Sequence, residues 1–208
     1  MDNIPKNYLA LGDSYTIGES VEESKRFPAQ TVKMLRDQGV SINDADIIAT
    51  TGWTTGDLLD ALKMPPPLRV YDVVTLLVGV NNQYQGKSVE DYKKEFLKLF
   101  RLAVEFAGGI PGNVIVLSIP DYSVTPFASK SDAHKIANEI DNFNAANKSI
   151  TISGGAHYID ITPISREAAN NHLLIAMDGL HPSAIQYKRW TSLLGEIVYS
   201  IFENINTD

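Results

Sequence analysis

Short apolar runs alternate with longer amphipathic ones along the chain. The short runs lie at residues 8–11, 47–50, 73–78, 114–117 and 158–161; they carry Val and Ile and end near Gly, Pro, Asn or Asp. That pattern predicts strands. Near-continuous apolarity further predicts strands covered on both faces, as in a parallel sheet. The longer runs predict helices at 27–38, 55–62, 89–106, 132–152 and 182–204. In 27–38, Pro28 stands near the start and Gly39 just past the end, the expected asymmetry. The 55–62 segment is expected to stop at Pro65-Pro66-Pro67. In 89–106, Tyr92, Phe96, Leu99, Phe100 and Ala103 share one face, with Lys93, Lys94, Lys98 and Arg101 largely off it. Ser88 fits its N-cap. Ile136, Ile140, Phe143, Asn147 and Ile150 form a looser stripe, and Trp190, Leu193, Leu194, Ile197, Ile201 and Ile205 a tight one.

Strand and helix thus alternate five times, which predicts one α/β domain over residues 1–208 with helices on both faces of a mostly parallel sheet. Crossovers should be right-handed. Ligands in such sheets bind beyond the carboxyl ends of the strands. Chemistry is therefore expected in the loops starting at Gly12, Thr51, Gly79, Ser118 and Thr162.

Composition narrows the classes. The 208 residues suit one domain. A net charge of −7, from 18 basic and 25 acidic residues, argues against a non-specific nucleic-acid binder. No cysteine is present, so disulfides, thiolate metal sites and thiol nucleophiles are excluded. No run approaches the length of a membrane span. Met1-Asp2-Asn3-Ile4-Pro5-Lys6 is not a basic region leading into an apolar one. The protein is expected inside the cell, or secreted if a signal has been removed.

The first loop reads Gly12-Asp13-Ser14-Tyr15-Thr16-Ile17-Gly18. Ser14 follows a strand end and precedes a helical region, which can expose it at the sheet's upper edge. By itself it reads first as a turn residue, as most serines near Gly do, because a hydroxyl needs a base to become nucleophilic. Four histidines are available, His134, His157, His172 and His181. His134 falls in a helical stretch, His157 begins a strand, and His172 has no nearby acid. His181 lies in Asp178-Gly179-Leu180-His181-Pro182, just before the last helix, with Pro182 suited to its first position. A carboxylate three residues back can hold one ring nitrogen and leave the other for Ser14, the base-plus-orienter arrangement of a triad. Gly52 and Asn81, in the loops after the second and third strands, can donate N–H groups to an oxyanion. Either also reads as an ordinary turn residue.

Together these blocks resemble the SGNH, or GDSL, hydrolases. The match consists of Gly12-Asp13-Ser14, Gly52, Gly79-Val80-Asn81 and Asp178-x-x-His181, in family order over most of the chain. The resemblance implies Ser14 as nucleophile, Asp178 and His181 as acid and base, and Ser14, Gly52 and Asn81 as oxyanion donors. It also implies a flavodoxin-like three-layer α/β/α sandwich with about five parallel strands. No metal or cofactor is implied; the partner is a small-molecule ester. The third block commonly reads Gly-x-Asn-Asp, and here Asn82 stands in place of the Asp. There is also no Gly-x-Ser-x-Gly elbow around Ser14.

The implied chemistry is hydrolysis of a small carboxylic ester or thioester through an acyl-enzyme. Carbohydrate O-deacetylation and lysophospholipid hydrolysis are alternatives within the family. Trp53, Val80, Tyr84, Tyr122, Phe127, Met177 and Leu180 are the candidates for an apolar pocket. A flavodoxin-like module binding flavin phosphate is the competing class, but Asp13 suits phosphate poorly and that reading gives Asp178 and His181 no role.

Overall fold

The computed structural model describes residues 4–63 and 69–205. Met1-Asp2-Asn3, the expected stop at Pro65-Pro66-Pro67 and the side chain of Ile205 lie outside the described residues. The strands are β1 (Tyr8–Gly12), β2 (Asp46–Ala49), β3 (Val73–Leu77), β4 (Val114–Leu117) and β5 (His157–Ile159). They form one parallel sheet in the order β2-β1-β3-β4-β5. Every residue of β1, β3 and β4 is buried, whereas the edge strands β2 and β5 are partly open. That difference explains the unbroken apolarity of the central three.

The helices are α1 (Ser14–Ile17), α2 (Phe27–Asp37), α3 (Thr55–Ala61), α4 (Val80–Tyr84), α5 (Val89–Phe106), α6 (Ala133–Ser153), α7 (Thr162–Arg166) and α8 (Ala184–Ile205). α2 packs on α8, while α3 and α6 pack on α5. These are the two helical layers of a three-layer α/β/α sandwich. The predicted stripes supply much of the contact: Tyr92, Phe96, Leu99 and Ala103 of α5 are fully buried. Trp190 of α8 is fully buried against the rings of Tyr187 and Phe27, at centroid distances of 4.9 and 6.1 Å. Leu193 is the exception in its stripe and stays 40% exposed. Among the described residues no helix is long and apolar enough to cross a membrane.

The sequence pattern misses α1, α4 and α7, which are only four or five residues long and hold too little periodicity to register. It also starts the last helix too early. Pro182 pairs with Ile175 in an isolated antiparallel bridge, and α8 begins at Ala184. Ser183 acts as its cap, accepting from the Gln186 amide at 3.4 Å.

Beyond β4 the chain is held by buried polar groups. Asn144 of α6 accepts from the Ile119 amide at 2.7 Å and donates to its carbonyl at 3.0 Å. It also donates to the Thr162 hydroxyl at 3.0 Å. The Ser118 hydroxyl accepts from the amides of Ile161 and Thr162, at 2.8 and 3.0 Å. The ends of β4 and β5 are thereby tied to each other and to α6. This sets the course of the loop that follows, which carries Tyr122 and Phe127. Replacing Asn144 with Ala leaves the Ile119 amide buried without its partner, while the Ile119 carbonyl keeps the Thr162 hydroxyl at 2.9 Å. Asn144→Ala is expected to lower unfolding free energy by about 1–3 kcal/mol in urea titrations. A loss within experimental error would show that this network does not hold the loop.

Candidate active site

Asp13 caps α1, its carboxylate accepting from the Tyr15 amide at 3.0 Å. Ser14 is the first residue of that helix, so its amide has no intrahelical acceptor. Its hydroxyl has no hydrogen-bond partner among the described residues and opens onto a cavity. Asp13 is wholly buried, and its second carboxylate oxygen has no hydrogen bond of normal geometry among the described residues. Burial pushes its pKa up to about 7, partly offset by the amides of Tyr15, Gly79 and Asp13 itself. This carboxyl sits between the Ser14 turn and the Gly79 loop.

Gly52 follows β2 with φ +85°, a conformation that strains other residues. A Cβ there would meet nothing within 4 Å, so the torsion rather than crowding calls for glycine. Asn81, in α4, donates one amide hydrogen to the Trp53 carbonyl at 2.9 Å. That bond fixes the side chain beside the Gly52 loop and leaves a second N–H. Asn82, which stands where the family commonly has Asp, is buried and faces away from this chemistry. It accepts from the Thr55 amide at 2.9 Å and donates to the Thr55 hydroxyl at 2.6 Å. The Thr55 hydroxyl in turn donates to Glu95. An Asp here would compete with Glu95 for one hydroxyl proton, which gives Asn a physical reason.

His181 Nδ1 lies 2.5 Å from Asp178 Oδ2. The other oxygen, Oδ1, accepts from the Leu180 and His181 amides at 2.9 and 3.0 Å. The tight turn from Asp178 to His181, with Gly179 at φ +73°, is thus closed by the acid itself. Burial alone would push the Asp178 pKa up. The His181 ring, the Ser20 hydroxyl and those two amides outweigh it and hold the carboxyl well below its usual range. The Ala176 amide donates to the His181 carbonyl at 2.7 Å, and the Tyr15 ring stands edge-on to the imidazole at 5.8 Å.

Ser14, Gly52, Asn81 and His181 line one cavity of about 160 Å³. Asp178 stands behind His181. Val80, Tyr84, Tyr122, Phe127 and Leu180 also line it, as expected, together with Tyr15 and Thr51, which the sequence reading did not single out. Two pocket candidates do not: Met177 projects into solvent and Trp53 packs partly against the core. The rings of Tyr84, Tyr122 and Phe127 form a cluster, with centroids 6.0–6.3 Å apart. The other histidines are elsewhere, His134 exposed on α6, His157 in β5 and His172 exposed before the Asp178 turn.

The sequence profile of the GDSL-like Lipase/Acylhydrolase family matches residues 10–189. The chain belongs to this family. Its members hydrolyse esters, and so this family member is an ester-hydrolysing enzyme. None of the curated proteins compared with it matches. Solved structures do. Axe2, an acetylxylan esterase from Geobacillus stearothermophilus, is 17% identical, with a TM-score of 0.70 over 94% of this chain and 96% of that one. The lipase/acylhydrolase from Enterococcus faecalis is 19% identical, with a TM-score of 0.65 over 93% and 96%. The psychrotrophic esterase EstA from Pseudoalteromonas sp. is 17% identical, with a TM-score of 0.60 over the whole of both chains. At these identities the likeness is one of fold.

Asp13 yields a pH prediction for this family member. Its folded pKa of about 7 exceeds the ordinary 3.8, so the folded state binds the proton more tightly. Its contribution to stability is full below pH ~4 and is lost as pH rises through ~7. Asp13→Asn keeps an acceptor for Tyr15 but cannot ionise. The variant should gain on wild type between pH 5 and pH 8, by about 2–3 kcal/mol in urea titrations. A gap that is the same at both pH values would refute the buried ionisation.

Proposed function

We propose that this enzyme cleaves small carboxylic esters or thioesters through an acyl-enzyme on Ser14, within one domain. The supporting observation is the shared cavity of Ser14, Gly52, Asn81 and His181, with His181 Nδ1 held by Asp178 at 2.5 Å. The Ser14 Oγ attacks the carbonyl carbon while His181 Nε2 takes its proton. Asp178, held in its ionised form, fixes the tautomer that donates from Nδ1 and stabilises the imidazolium. The Ser14 and Gly52 amides and the remaining Asn81 N–H stabilise the oxyanion. The imidazolium returns its proton to the leaving alcohol or thiol. Water then attacks the acyl-enzyme, with His181 again as base. The Ser14–His181 hydrogen bond that this requires forms as substrate closes the site, a common tightening in such enzymes.

The cavity walls favour a short, uncharged acyl group. Val80, Leu180, Tyr84, Tyr122 and Phe127 are apolar over most of their surface, and Tyr122 turns its hydroxyl to Gln83 at 3.0 Å. A cavity of about 160 Å³ is close to the ~150 Å³ that admits benzene, and so suits acyl groups of up to about six carbons. The acyl chain of a lysophospholipid exceeds that volume and would have to run out through the cavity's open mouth. Acetyl esters fit, in line with the fold likeness to the acetylxylan esterase Axe2.

The test is an acyl-chain-length series of p-nitrophenyl esters and matching thioesters. Rates should be highest for short acyl groups and fall for long ones. Ser14→Ala should lose at least about 1,000-fold in kcat. Asn81→Ala should lose about 100–1,000-fold in kcat, the usual effect of removing one oxyanion donor. Ser14→Ala at the wild-type rate would remove the acyl-enzyme, and a rate that rises steadily with chain length would remove the short-acyl reading.

A further inference from the structure

The turn that carries Ser14 also reaches the acid. The Gly18 and Glu19 amides both donate to the Ser14 carbonyl, at 3.0 and 3.1 Å, and close α1. Ser20 then stands at φ +62°, the one non-glycine residue in the left-handed region among the described residues. From there its hydroxyl donates to Asp178 Oδ2 at 2.7 Å, the oxygen that faces His181 Nδ1.

Two features give this bond weight although it is exposed. The donor is fixed in place: the Val21 amide donates to the Gly18 carbonyl at 3.3 Å, and Glu19 takes the hydroxyl of Thr51 beside Gly52. The backbone is also strained for serine, and glycine would adopt it without that steric strain. Serine at this position supplies what glycine cannot, a hydroxyl. The two Oδ1 bonds come from the acid's own turn, so among the described residues Ser20 is the one donor that ties Asp178 to the nucleophile's turn.

We propose that Ser20 is a positioning residue for ester hydrolysis, aiming the Asp178 carboxylate at His181 and coupling its orientation to the turn that presents Ser14. This rests on the Ser14–His181–Asp178 reading above. Ser20 touches no substrate and acts through Asp178. Its loss lets the carboxylate rotate and concentrates charge on the oxygen facing the imidazolium.

Ser20→Gly and Ser20→Ala separate this role from a purely structural one. With p-nitrophenyl acetate, both should lower kcat by about three- to tenfold while KM stays within about twofold, the size of one lost hydrogen bond. The acidic limb of the pH–rate profile should move to higher pH, because a carboxylate short of a donor holds the protonated imidazole more firmly. Ser20→Gly, relieved of strain, should be at least as stable as wild type in urea. An unchanged kcat and acidic limb in both variants would overturn the assignment. So would a Ser20→Gly variant whose stability falls along with its activity. Ser14→Ala run alongside keeps the two readings apart. A wild-type rate there sinks the triad itself, whereas intact Ser20 variants of an enzyme that needs Ser14 sink the Ser20 assignment alone.

Discussion

The site depends on a close approach at the carboxyl end of β1. A Cβ on Gly12 would lie 2.1 Å from the Thr16 hydroxyl and 2.3 Å from the Leu77 carbonyl. Only glycine lets α1 fold back over the strand end and lets β3 run alongside. β1 and β3 are also where the strand order reverses, between connections running outward to β2 and to β4. Loops diverge at such a point and leave a crevice. The Ser14 turn and the Gly79–Asn81 loop border it from the two strands. A residue larger than glycine at position 12 would push apart the two walls on which the cavity rests.

Buried polar groups then hold those walls. Asn82 anchors the start of α3, and Asn144 the loop after β4. Asn147, buried on the same face of α6, donates to the Tyr92 hydroxyl at 3.1 Å and accepts from Tyr158 at 3.0 Å. Each links elements far apart in sequence, and each satisfies groups that burial would otherwise leave costly. This explains why Asn147 belongs to a stripe that is otherwise apolar. The stripe marks the buried face of α6, and burial admits amides where the loops above need partners.

Local relations were the legible part. Five strands, five long helices and the Asp178–His181 spacing all follow from residues a few positions apart, where periodicity and turn chemistry act. Gly52 and Asn81 were found by their place after strands and by motif. What stayed hidden is non-local. Ser20 and Asp178 are 158 positions apart, and a single serine in a left-handed turn leaves no pattern. Tyr15 joins the cavity only because its ring meets His181 across the fold. Pro182 was misplaced for a related reason: its pairing with Ile175 competes with the helix start, and only the folded chain shows which wins.

The strand order is that of flavodoxin-like sheets, which hold phosphate on free amides at this same end. Here the amides of α1 are already used. Tyr15 donates to the Asp13 side chain, and Thr16 and Ile17 to its carbonyl, both at 3.0 Å. The Gly18 and Glu19 amides go to Ser14. What is left of the turn is the Ser14 amide, beside a buried carboxyl that a phosphate would repel whenever it ionises. One free donor cannot cradle a phosphate group. It is the right number for one arm of the proposed oxyanion hole, with Gly52 and Asn81 as the other arms. The same sheet end thus serves either ligand class, and here the Asp13 side chain takes the Tyr15 amide while the Asp13 and Ser14 carbonyls take the next four, which leaves too few donors for a phosphate.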